Sequence, residues 1–70
     1  DKISKGVLMV FDVHGSSIIT LYNGFLLPGE TLIPWDGRDH VGKIVATGTY
    51  FYSLFVDGEL IESNSMIFIK

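Results

Sequence analysis

The sequence contains no cysteine, so no disulfide can staple the fold and no thiolate zinc site can form. Basic charge is also scarce. Five Lys/Arg stand against eight Asp/Glu, for a net charge of −3, and the five are scattered along the chain. A nucleic-acid interface needs a clustered basic footprint, so that function class is excluded. No apolar run approaches the roughly 18–20 residues of a membrane-spanning helix. Neither an initiating methionine nor a secretory leader precedes Asp1, which leads us to expect a mature or excised piece, the end of a longer protein.

What is present is apolar. Hydrophobic residues make up 47% of the 70 residues, enough to exclude disorder. A chain of this size forms one domain at most and buries only about 60–65% of its unfolded surface. Apolar residues at this density imply a tightly packed sheet or a surface that meets a partner.

Periodicity reads as strands throughout. GVLMVFDV (6–13) is almost wholly apolar, as in a strand covered on both faces. HGSS (14–17) is a turn and IITLYN (18–23) a second strand, together a hairpin. LPGE (27–30) places Pro28-Gly29 at the centre of a type II turn, because glycine supplies the positive φ. The next strand is expected at 31–35. Pro34 has no N–H, which places that strand at an edge or at a bulge. DGRDHVG (36–42) is a loop and ATG (46–48) closes the stretch after it. TYFYSLFV (49–56) carries the strongest strand pattern. Asp57-Gly58 is a type I′ hairpin signature, and ELIESNSMIFIK (59–70) is the final strand. No helix, repeat or low-complexity segment is expected. Strands recurring every ~8–12 residues point to an all-β sandwich.

Alternation sorts the side chains into two faces. Tyr50, Tyr52 and Leu54 share one face of their strand; Phe51, Ser53 and Phe55 share the other. Trp35 is expected to anchor the core on the Tyr50 side, with a rim partner for its indole N–H. If Leu8 and Val10 face that core, then Val7, Met9 and Phe11 form an apolar stripe on the opposite side, a contact face unless a neighbouring segment covers it.

Few residues suggest chemistry. His14 and His40 both fall in turns and lack converging ligands at metal spacing. Asp36 and Asp39 resemble a calcium loop only faintly, because the repeated acidic positions and terminal glutamate are absent; an Asx-turn explains Asp36 more simply. The serines lack a nucleophile-elbow context and no glycine-rich loop opens a helix. Glu30, Glu59 and Glu62 suggest a glycosidase pair only weakly. An exposed Trp35 would make a sugar platform, but a core Trp35 removes it. We therefore expect no enzyme, no catalytic residue, no cofactor and no metal.

The pattern from Val10 to Lys70 resembles a known family. Val10-Phe11-Asp12 and Gly15, then Thr20-Leu21, Gly24, Leu26 and Gly29, are followed by Trp35-Asp36-Gly37, Asp39, Gly42, Val45, Gly48, Tyr50-Phe51-Tyr52 and Leu54. Met66, Ile67, Phe68, Ile69 and Lys70 close the chain. This looks like the immunoglobulin-like domain of flagellar hook-capping proteins, and still more like the related C-terminal sorting domain (type A) of type IX secretion cargo in Bacteroidetes-like bacteria. The ungapped match covers about Gly6 to Lys70. It implies that 1–70 is a single immunoglobulin-like β-sandwich at the end of a secreted protein. Trp35, Asp36, Gly37, Gly42, Gly48, Tyr50, Tyr52 and Leu54 would specify that fold, and Met66 to Lys70 would be the strand that is recognised. The implied partners are outer-membrane secretion and shuttle proteins, met in the periplasm on the way to the cell surface or the medium. Three departures stand out. The usual PNPF-like segment and first strand do not precede Asp1, so an edge strand is missing or supplied by a partner through strand addition. Asn64 and Ser65 replace the usual lysines, and Val7 and Met9 replace polar residues. The alternative is a structural accessory or assembly module, such as a hook-cap-like domain or a surface filament subunit.

Overall fold

Turn chemistry divides the chain into strands. In the computed structural model, which describes residues 3–26 and 33–70, the strands are β1 (Ser4–Phe11), β2 (Ser17–Leu26), β3 (Gly48–Val56) and β4 (Glu59–Phe68). They form one antiparallel sheet in the order β2-β1-β3-β4. Among the described residues there is no helix. The chain is all-β, as expected.

The two-residue turn between β3 and β4 has both central residues at positive φ, Asp57 at 52° and Gly58 at 84°, which matches the twist of the flanking strands. The Asp57 N–H also donates to the Lys5 carbonyl (2.8 Å), and the Lys5 N–H donates to Asp57 Oδ1 (3.0 Å). One turn thus pins the start of β1 beside the end of β3.

Several boundaries differ from the sequence reading. The apolar run 6–13 overshoots the strand, because Asp12 turns its carboxylate onto the N–H groups of His14 and Ser16 (both 2.9 Å) and stops β1 at Phe11. β2 continues past Asn23 to Leu26. The strand expected at 31–35 is not formed by Ile33, Pro34 and Trp35. Pro34 has no N–H to give a ladder, and Trp35 is spent on packing. Residues 31–32 and the turn at 27–30 lie outside the described residues. β4 stops at Phe68, and the Lys70 N–H donates to Thr47 Oγ1 (3.2 Å).

Register assigns the faces. Leu8 sits opposite Leu54 and Tyr22, and Val10 opposite Tyr52 and Ile19; Tyr50 pairs with Met66 and Gly48 with Phe68. Directly opposed residues share a face, so these side chains make the inner face. Extra residues at Leu21, Ile18 and Ile61 break the register, as β-bulges do. Among the described residues, Val10 and Tyr50 are the only buried large apolar residues. The core is thin.

Candidate functional site

Trp35 is the hub of the inner face. Its ring meets Tyr50 edge-on (centroids 5.4 Å, 70°) and Phe68 at a tilt (5.5 Å, 45°). The indole N–H donates to the Arg38 carbonyl at 2.9 Å, the rim partner expected for a half-buried tryptophan. The Tyr50 hydroxyl donates to the Ala46 carbonyl at 2.6 Å. Gly37 is buried beneath the Phe68 ring at φ 80°. Trp35, Gly37, Tyr50 and Phe68, distant in sequence, therefore meet at one point.

The segment after Trp35 holds its shape through its own backbone. The Arg38 N–H donates to Asp36 Oδ1 (3.2 Å), the expected Asx-turn. Arg38 pairs with Ile44 across a short hairpin, and the Val45 N–H donates to the Gly37 carbonyl (2.8 Å). At its tip, Asp39 Oδ1 accepts from Val41 (3.1 Å) and Lys43 (2.9 Å). Gly42, at φ 88°, donates its N–H to the Asp39 carbonyl (2.9 Å). The β1–β2 turn repeats this scheme. Asp12 takes the place of Asp39, and Gly15, at φ 83°, donates to the Asp12 carbonyl (3.1 Å). DVHGS (12–16) and DHVGK (39–43) are thus two copies of one D-x-x-G-x turn, a type I turn closed by a glycine bulge. The signal for both in the sequence is the shared Asp-to-Gly spacing, which the strand pattern around them does not reveal.

Asp39 is held below the ordinary carboxylate value, foremost by the Lys43 N–H and then, against desolvation, by the Val41 N–H and the nearby positive side chains. His40 is exposed, and its N–H reaches the Ile18 carbonyl at the start of β2 (3.1 Å). His14 is exposed in the first turn. Among the described residues no three His, Cys, Asp or Glu converge on a point where a metal could sit.

The inner face opens into a groove of about 360 Å³, lined by Leu8, Leu21, Ile33, Trp35, Tyr52, Met66, Ile67 and Phe68. Its lining is apolar, with one polar link nearby, from the Tyr52 hydroxyl to Glu62 Oε2 at 3.3 Å.

The C-terminal residues divide by face. Met66 and Phe68 are half-buried against the core, whereas Ile67 and Ile69 are 73% and 75% exposed. Lys70 is exposed as well. Within 66–70, Ile67, Ile69 and Lys70 are the exposed residues, while Met66 and Phe68 pack toward the core. Midway along β4, the Ser65 N–H donates to Asn64 Oδ1 at 2.9 Å. A side chain thereby caps a backbone donor on the sheet's outer edge.

Val7, Met9 and Phe11 lie on the outer face, opposite Phe55, Ser53 and Phe51 of β3. Phe25, paired with Lys5, and Leu60, paired with Phe55, extend the same face. Ser53 and Ser63 hydroxyls meet at 3.4 Å in its middle. No family model, curated protein or solved structure matches this chain.

Proposed function

We propose that the chain is a non-catalytic sorting and recognition domain, an immunoglobulin-like sandwich that directs a secreted cargo through the type IX system for release or cell-surface attachment. In this reading the four-stranded sheet would form one layer of that sandwich, with the stretch around Trp35 packed on its inner face. The observation that carries the reading is the division of the last strand: Phe68 is fixed in the Trp35 cluster while Ile67 and Ile69 are presented outward. A strand held rigidly from behind, with apolar side chains in front, is suited to being read by a partner at low ordering cost. The pattern that resembles sorting domains supports the same reading. Its Trp35, Gly37, Tyr50 and Phe68 meet at one cluster.

The test uses a reporter carrying this segment at its C-terminus in a type IX-competent bacterium. Deleting 66–70 would also remove Phe68 from the core, so the variant of choice is Ile67→Ser with Ile69→Ser. The intact tail is expected to deliver reporter outside the cell. The double variant should reduce delivery by about tenfold or more, as loss of interface anchors does, while remaining folded. A folded intact tail that leaves the reporter in the periplasm would sink the sorting reading. The alternative, a structural accessory or assembly module, is favoured by the apolar outer face.

A further inference from the structure

The outer face of the sheet carries apolar side chains that the molecule does not use. Val7, Met9, Phe11 and Phe55 run along its centre. Around them Phe25 is 70% exposed, Leu60 55% and Phe51 38%. Aromatic and branched side chains at these exposures leave on the order of 400 Å² of apolar surface open, as large as the largest patch on a typical monomer. The whole chain exposes 5071 Å², against about 4,400 Å² for a compact monomer of 7.8 kDa.

We propose that this face is the interface of a homodimer, in which two copies pack sheet on sheet. Three observations select a second copy as the occupant. First, the register places a single charged residue on the face, Lys5 at one end. A charged partner would find nothing to pair with there, whereas an identical face strands no buried charge. Second, the Ser53 and Ser63 hydroxyls at its centre meet each other. The other polar side chains, Ser17, Thr20 and Asn23 on β2 with Thr49 and Ser65, lie toward its margins, where an interface rim stays wet.

Third, the area fits. Four strands of eight to ten residues, spaced ~4.8 Å apart and rising ~3.3 Å per residue, present roughly 600 Å² per copy. Two copies bury about 1,200 Å², the lower bound for a stable interface. An interface at the low end of this size range is expected to be weak and reversible, and we take its Kd to be on the order of 10–100 µM. The two sheets cross at about −30° with side chains interleaved, as in sandwich packing. This inference does not rest on the sorting proposal, although Ile67, paired with Thr49, lies on the same face; Phe51→Lys and Phe25→Lys test association while leaving Ile67 and Ile69 in place.

Sedimentation velocity on the 70-residue chain, from about 5 to 500 µM, brackets that Kd. A concentration-dependent shift from monomer to dimer is expected. Phe51→Lys, which buries a charge against its own copy across the two-fold axis, should weaken association at least tenfold. Val41→Lys, in the exposed loop tip, should leave it unchanged. If Phe51→Lys does not fold by circular dichroism, Phe25→Lys replaces it. A monomer at every concentration would overturn the proposal, and would mean that another segment or domain covers the face. Association that survives a folded Phe51→Lys or Phe25→Lys variant would overturn it equally.

Discussion

Trp35 gathers several independent constraints into one residue: two aromatic contacts, one backbone hydrogen bond and the only tryptophan signal in the chain. Truncating it to alanine should cost about 3–5 kcal/mol, the range for large aromatic deletions. Urea unfolding followed by far-UV circular dichroism would read this. With stability this thin, the expected outcome is a chain largely unfolded without denaturant. Gly37 is sensitive for a different reason. A Cβ there would enter the Phe68 ring while the backbone stays at φ 80°. Gly37→Ala should therefore combine roughly 1–2 kcal/mol of left-handed strain with ~1–3 kcal/mol of overpacking. Gly42, at φ 88° but with open space around it, should lose only the strain part on the same substitution. The difference in urea midpoint between the two alanine variants separates the two contributions.

At the scale of elements, the D-x-x-G-x turns make a pH prediction. Hydrogen bonding lowers the Asp39 pKa in the folded state below its unfolded value. Its contribution is therefore present above the ordinary aspartate range, near 3.9, and is lost as pH falls through the depressed folded value. Asp39→Asn should melt below the parent chain at neutral pH, and the gap should close in acid. A gap that persists under acid would mean the carboxylate charge is irrelevant to the turn. These turns also mark how far the elements were legible in sequence. β3, the Asp57-Gly58 turn and the two faces of β1 were readable because alternation and turn chemistry act over a few residues. Between Ile33 and Val45 the Trp35 anchor and the Asp36 Asx-turn were readable, but the small hairpin that closes the stretch was not. Its shape depends on partners far along the chain, such as Phe68 over Gly37 and the Ile18 carbonyl bonded to His40. The bulges at Ile18, Leu21 and Ile61 likewise reflect strand pairing, which local periodicity does not report. Of the candidate site, the alternation of Met66 through Ile69 was readable, but which pair faced the core became visible only once Trp35 was in place.

For the molecule as a whole, the described residues hold one fully buried side chain and one nearly buried tyrosine, which leaves little stability to spare, as expected of a domain this small. If two copies bury the outer face, unfolding is coupled to association. The melting temperature should then rise with protein concentration, by a few degrees per 1–2 kcal/mol gained, and that rise should vanish in Phe51→Lys. A melting temperature independent of concentration would argue against coupling. The two ways of joining copies have different outcomes. Packing face to face uses each copy's outer face once and stops at two, whereas pairing along an open edge can propagate without limit. The Asn64 side chain, seated on the Ser65 N–H, occupies a docking position that an added strand would need. Seen this way, one amide side chain in the middle of β4 helps set whether this apolar protein forms a closed pair or grows into a fibre.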